Sequence, residues 1–168
     1  FSFPKFYKDD HIITSARNKL GMMSIVSVNI QTKEISTLIP WSYEVNGYLF
    51  IKGDTLLYSA ASDGYDNIFA LNIHTKNMYK LTEESLGAYQ PCINEKGELI
   101  WSGFTADGYQ LKEKKLTAAN WQPVMSTNTV NVKDMFVPDA LSQTSKYNAD
   151  STLRGNYAVY RYSKLSHP

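Results

Sequence analysis

One cysteine, Cys92, is all that 168 residues contain. A lone thiol excludes an internal disulfide and a cysteine-based metal framework, and in "YQPCIN" it reads as a small buried hydrophobe. Charge of one sign is equally scarce. Seventeen Lys and Arg against 16 Asp and Glu leave a formal charge of +1, so no electrostatic footprint points to nucleic acid or to an anionic membrane surface. No apolar run approaches the roughly 20 residues that a membrane-spanning helix needs. Also missing are an initiator Met and a signal peptide. The opening "FSFPKFYKDD" reads as the interior of a longer protein, so the missing signal carries no information about secretion.

Catalytic patterns are lacking too. "GMMSI" holds Ser24 without the following Gly of a nucleophile elbow. His11, His74 and His167 are scattered, with no metal-ligand spacing between any two. The nine Gly are dispersed one to a turn rather than gathered into a phosphate cradle. Glu83 and Glu84 are adjacent, which in an extended chain points them to opposite sides. The expectation is a chain with no catalytic residues, no cofactor and no metal site.

What the chain does have is aromatic and β-branched residues in short runs. There are 12 Tyr, 7 Phe and 3 Trp, and few stretches of Leu, Ala, Glu and Lys that would favour helices. "YLFIKGDTLLYSA" reads as two strands around Lys52-Gly53-Asp54. "DNIFALNIHTKNMYKLT" reads as two around Thr75-Lys76, and "ELIWSGFTADGYQL" as two around Asp107-Gly108. Gly, Asp and Asn supply the positive φ or the local side-chain hydrogen bond that tight connections require. Strands about ten residues apart with hairpin connections predict an all-β antiparallel meander.

The meander repeats. "VNIQTKEISTL" at 28–38 returns as "LNIHTKNMYKL" at 71–81. Asp10, Asp54 and Glu98, spaced 44 residues apart, open "DHIITSA", "DTLLYSA" and "ELIWSGF". Four short strands in about 44 residues is the size of one β-propeller blade. "TLLYSAA" and "NIFALNI" are apolar at successive positions, as in a sheet covered on both faces. The expected fold is all-β, antiparallel four-stranded blades of a β-propeller: about three blades in an incomplete propeller, with first strands near 1–8, 43–52 and 88–95, followed by an irregular C-terminal tail. Leu56, Leu57, Ile68, Phe69, Leu71, Ile73, Leu99, Ile100 and Trp101 should be buried, with Ile12, Ile13, Ile25, Val26 and Val28 in equivalent places. Three blades cannot close a ring of the usual four to eight. The outer blade faces would therefore be covered by further blades, by the tail or by a second copy, and the isolated chain is expected to dimerise.

"YQPCINEKGELIWSGFTADGYQL" resembles the TolB-type propeller repeat through Pro91, Asn94, Glu95, Lys96, Gly97, Ile100, Trp101 and Ser102. "SFPKFYKDDHIITSARN" resembles it through Phe3, Asp9, Ile12, Ile13, Thr14 and Ser15, and "NIFALNIHTKNMYKLT" through Leu81-Thr82. Lys33 and Lys76 stand where the repeat has a turn Gly, and Asp9-Asp10 where it has Asp-Gly. The resemblance divides residues 1–125 into TolB-like blades near 1–40, 41–85 and 86–125. It leaves 126–168 as a linker or tail, in which "NYAVYRYSKLSHP" resembles the approach to an outer-membrane barrel in envelope proteins of the Bacteroidetes type. A last strand on the final blade is the alternative for that segment.

In a propeller, the loops "PWSYE", "ASDGYDN", "TEESLGAYQ" and "TADGY" share one face. This places Trp41, Tyr43, Tyr65, Tyr89 and Tyr109 beside Asp63, Asp66 and Asp107, a mixture suited to protein, peptide or glycan contacts. The competing reading is that "DGY" is turn chemistry and its Tyr merely covers a blade edge. A Ca²⁺ ion at the Asp-rich turn would need six or more oxygen ligands. Two functions are expected from the resemblance. The first is a non-catalytic propeller scaffold in the bacterial envelope, periplasmic or outer-membrane associated. The second is the propeller portion of a larger enzyme of the prolyl-oligopeptidase type, gating a hydrolase domain outside this chain.

Overall fold

The computed structural model describes residues 1–61, 64–117 and 120–124. The expectations for residues 126–168, including the segment "NYAVYRYSKLSHP", and for Asp63 lie outside these. The described chain is all-β, with no α-helix among the described residues. Its strands are β1 (Ser2–Tyr7), β2 (His11–Arg17), β3 (Met23–Asn29), β4 (Ile35–Thr37), β5 (Asn46–Lys52), β6 (Thr55–Ala60), β7 (Asn67–Asn72), β8 (Met78–Lys80), β9 (Ala88–Ile93), β10 (Glu98–Thr105), β11 (Gly108–Lys115) and β12 (Gln122–Val124). They form three antiparallel sheets, ordered β1-β2-β3-β4, β5-β6-β7-β8-β12 and β9-β10-β11.

The sequence repeat is a loop repeat. After β3, the Asn29 side-chain oxygen accepts from the backbone N–H groups of Gln31 and Thr32, both at 2.9 Å. After β7, Asn72 does the same for His74 at 3.0 Å and Thr75 at 2.9 Å. Each loop closes with the N–H of its lysine on the asparagine carbonyl, at 2.9 Å in both cases. That closure puts Lys33 at φ 64° and Lys76 at φ 62°, where a β-carbon is crowded and glycine is at ease. Lys76→Gly should therefore stabilise the chain by up to about 1 kcal/mol, the L-residue strain less glycine's extra entropy. A lowered urea midpoint for this variant would show that the lysine side chain contributes more than the strain costs.

Two layers of core alternate through the second sheet. Leu56, Tyr58, Phe69 and Leu71 face the first sheet and form one buried cluster with its Ile13 and Ile25, with Leu38 just after β4 and with Leu49 of β5. Leu57, Ile68 and Ala70 face the third sheet and pack on Ala88, Leu99 and Trp101. Covered on both sides, β6 and β7 are buried at nearly every position. Among the described residues the third sheet is covered on one side, and β10 alternates between buried and half-buried residues from Glu98 to Gly103.

Three core assignments are corrected, one on the outer face of the third sheet and two at the end of a face of the first sheet that is buried further along at Thr14 and Val26. Ile12, Val28 and Ile100 are half-buried, not buried. Ile12 and Val28 are cross-strand partners and share a face with Phe6 and Ile35, away from Ile13 and Ile25. Ile100 likewise points opposite to Leu99 and Trp101. Phe6 at 79 %, Ile35 at 59 % and Leu111 at 81 % exposure mark the two outer faces.

The third unit also departs from the expected four strands. It contributes three strands to its own sheet, and its fourth, β12, pairs instead with β8 at the outer edge of the second sheet, Gln122 opposite Lys80 and Val124 opposite Met78. No Asn-Ile-x-Thr-Lys segment follows β11, so the loop that folds β4 and β8 back onto their own sheets has no counterpart there. Trp121 packs edge-on against Tyr79 at 5.2 Å. Pro123 offers no N–H to a further strand, which suits it to an outermost edge.

Serine locks join the sheets. Ser15 donates to the Asn46 side-chain oxygen at 2.8 Å and its carbonyl at 3.2 Å. Ser59, 44 residues on, donates to the carbonyl of Ala88 at 2.6 Å. In each case a buried hydroxyl at the end of a second strand holds the start of the next unit's first strand. The equivalent position of the third unit is Gly103, where a β-carbon would lie 2.9 Å from the Lys112 side chain.

Candidate functional site

The first strand of each unit carries a bulge. Pairing slips between Ser2 and Lys5 in β1, between Gly47 and Phe50 in β5, and opposite the Ile100–Ser102 stretch in β9. At these slips Phe3, Tyr48 and Gln90 adopt φ 54°, 53° and 53°. A bulge re-aims side chains out of strict alternation, and here it turns aromatic rings of neighbouring sheets toward one another. Phe3 meets Tyr48 with centroids 4.9 Å apart, Tyr48 meets Tyr89 at 6.0 Å, Tyr89 meets Tyr109 at 6.0 Å, and Tyr109 meets Phe104 at 5.0 Å. The tilted and edge-on arrangements are those that ring quadrupoles favour. Gly47 makes the first step possible, because a β-carbon there would lie 2.7 Å from the Phe3 ring. Gly87, at φ 123°, leaves room for Tyr89 in the same way.

This ladder crosses all three sheets and is open to solvent. Phe3, Tyr48, Phe104 and Tyr109 are 41 %, 37 %, 41 % and 68 % exposed. Tyr89, half-buried at its centre, donates from its hydroxyl to Asp66 Oδ2 at 2.9 Å. Burial, then the hydrogen bond and charge of Asp66, push the Tyr89 phenol up to about 12. It is therefore a neutral donor at any physiological pH.

Of the residues expected to share a binding face, Tyr89, Tyr109 and Asp66 come together in the ladder. Asp107 sits in the β10–β11 turn two residues before Tyr109, exposed, and its carboxylate has no hydrogen-bond or ion-pair partner among the described residues. Trp41, Tyr43 and Tyr65 are exposed at 37 %, 50 % and 54 %, but no ring contact ties them to the ladder among the described residues. Sequence reading missed Phe3, Tyr48 and Phe104. The signal was present in Phe3 and Tyr48, aromatic residues 45 apart near the start of their units, but strand alternation would send them elsewhere without the bulge.

At the opposite end of the strands lies a second polar cluster. Tyr7 donates to Asp54 Oδ1 at 2.7 Å, and the His74 Nε2 lies 3.1 Å from the same oxygen. Lys8 Nζ is 3.7 Å from it. The Tyr7 hydrogen bond, followed by the charges of His74 and Lys8, holds the Asp54 carboxyl below its ordinary range. Three groups converge on one carboxylate, which ties β1 to the β5–β6 turn and the β7–β8 loop. Among the described residues, no three His, Cys, Asp or Glu side chains gather as a metal site would require. A cleft of about 120 Å³ beside β8, β11 and β12, lined by Lys80, Thr82, Glu83, Lys114, Asn120 and Gln122 among others, is smaller than the several hundred Å³ of typical small-molecule pockets.

No helix of the described residues is long and apolar enough to cross a membrane. No protein-family model matches the chain, and no curated protein matches it. Among solved structures, the chain is similar to TolB from Acinetobacter baumannii, a β-propeller-containing protein, at 12 % sequence identity. The match has a TM-score of 0.58 and covers 68 % of this chain and 30 % of that one, so this chain spans less than a third of its structural neighbour. At that identity the likeness is one of fold: an all-β chain whose antiparallel sheets are arranged as in part of TolB.

Proposed function

We propose that residues 1–125 are three consecutive blades of a TolB-like propeller, near 1–40, 41–85 and 86–125, with 126–168 a linker or tail. The propeller acts as a non-catalytic scaffold in the bacterial cell envelope, periplasmic or outer-membrane associated, and binds a protein, peptide or glycan partner. One observation carries the binding role: exposed aromatic rings run unbroken across three sheets on bulges that repeat in every unit. Left-handed φ at Phe3 and Tyr48 costs on the order of 1 kcal/mol each, and the ladder's solvent-facing rings return little of that as core burial. Strain of this kind is retained where it presents side chains to something else. The fold likeness to TolB supports the propeller part of the reading.

Tyr65→Ala and Tyr109→Ala test the role against the alternative that these rings only cover turns. Each should lower stability by less than about 1 kcal/mol in urea unfolding, since exposed substitutions rarely cost more. A photo-crosslinker placed at position 109 in cells should capture an envelope component. Losses above about 2 kcal/mol for both variants, with no crosslink, would show that the tyrosines are structural and the binding face lies elsewhere.

A further inference from the structure

Resting on that binding role, we infer that the ladder's partner is a polypeptide segment bearing arginine or lysine, whose cationic side chain lies over the Tyr89–Tyr109 rings with Asp66 and Asp107 as counter-charges. Four of the five loops at this end of the strands, 40–44, 61–67, 82–90 and 105–109, hold no Lys or Arg and, among the described residues, carry Glu44, Asp66, Glu83, Glu84 and Asp107. The fifth, between β2 and β3, holds Lys19 next to Arg17 on the first sheet rather than on the third, which carries Tyr89 and Tyr109. The cations nearest in the chain are Lys5, two residues from Phe3, and Lys112, which is engaged by Glu84 at 2.7 Å. A ring face is the negative pole of the aromatic quadrupole and attracts a cation within about 6 Å. Rings and carboxylates therefore select the same sign of charge.

Three features of the geometry fit a guanidinium or ammonium better than a neutral ligand. Tyr109 is 68 % exposed and touches other rings on only part of its surface, through Tyr89 and Phe104. The Tyr89 hydroxyl donates to Asp66 Oδ2 alone, and Asp66 Oδ1 accepts from no described residue, so that carboxylate keeps acceptor capacity for an outside donor. The Asp107 carboxylate stands unpaired among the described residues on the turn that carries Tyr109. An anionic ligand would meet repulsion from every one of these groups. A neutral glycan would use the rings but leave the charges without a role.

The full 168-residue chain is titrated with acetylated hexa-arginine amide, with the hexacitrulline peptide that keeps arginine's shape but no charge, and with chitohexaose. Hexa-arginine should bind at low salt at least about tenfold more tightly than hexacitrulline. Asp107→Asn, Asp66→Asn (which keeps an acceptor for Tyr89) and Tyr109→Ala should each weaken it at least about threefold, the lower end of a cation–ring contact. The aspartate variants should also flatten its salt dependence, with unfolding midpoints unchanged for Asp107→Asn. Hexa-arginine affinity indifferent to all three substitutions marks adventitious polycation binding and overturns the inference. Equal or tighter binding of hexacitrulline or chitohexaose, lost in Tyr109→Ala, overturns the cationic partner while leaving the binding face standing. If no probe binds, the inference falls; if the photo-crosslink at position 109 also fails, the binding role falls with it.

Discussion

Truncating Trp101 to alanine should cost about 3–5 kcal/mol, the range for a large aromatic removed from a core. That is a large share of the roughly 5–15 kcal/mol of a whole domain. The indole is 6 % exposed and fills the layer between the second and third sheets, against Leu57, Ile68, Ala70, Leu81, Ala88 and Leu99. Among the described residues the third sheet is covered on this side, so a cavity here loosens its packed face. Trp101→Phe should be far milder than its lost volume suggests. The indole N–H is buried with no hydrogen-bond partner among the described residues, and leaving such a donor unpaired costs about 1–3 kcal/mol. Phenylalanine removes that cost together with the second ring. Urea unfolding of both variants checks the pair. An alanine midpoint near wild type would show that Trp101 lies outside the core. A phenylalanine loss as large as alanine's would show that the N–H is satisfied.

Asn67→Leu should be nearly as damaging, by about 2–4 kcal/mol, although it adds apolar volume. Asn67 is 2 % exposed and its side-chain oxygen accepts from the Glu84 N–H at 2.7 Å and the Thr82 hydroxyl at 2.9 Å. Thr82 in turn accepts from the Ile68 N–H at 2.9 Å. Leucine cannot accept, so one backbone donor and one hydroxyl lose their partner at about 1–3 kcal/mol each. These bonds also shape the 82–87 loop from which Tyr89 enters the ladder. Hydrogen exchange should therefore report early opening of the Glu84 amide in this variant, and protection equal to wild type would show that the loop does not depend on Asn67.

Much of the fold was legible because it is written locally. Asn, Thr and Lys recur in the loops after β3 and β7 because the same side-chain and backbone bonds close both, and such a loop needs no distant partner to be recognised. Leu56 and Leu57, apolar at successive positions, announce a sheet covered on both faces, since alternate residues of a strand point opposite ways. Ile12, Val28 and Ile100 were misread by the same logic. How far each face of a strand is covered is decided by the assembly of sheets and not by the strand: β10 is buried on one face, whereas on β2 and β3 the face of Ile12 and Val28 is buried at Thr14 and Val26 but not at this end.

The candidate site divides along the same line. Asp66, Asp107, Tyr89 and Tyr109 could be placed near one another because they sit on loops and strand starts whose end of the sheet follows from chain direction. Phe3 and Tyr48 could not, because bulges override alternation and a bulge depends on how the first strand pairs with the second; Phe104, by contrast, is the direct cross-strand partner of Tyr109 in the regular β10–β11 hairpin.

From its sequence alone this chain determined its all-β class, its 44-residue period, its turn positions and most of its core, since strand periodicity and turn chemistry act over a few residues. Tertiary structure alone decided that β12 joins the second sheet, that Ser15 and Ser59 lock neighbouring units, and that five aromatic rings line up across three sheets. Those outcomes depend on distances between residues far apart in the chain, which packing sets and local propensity does not.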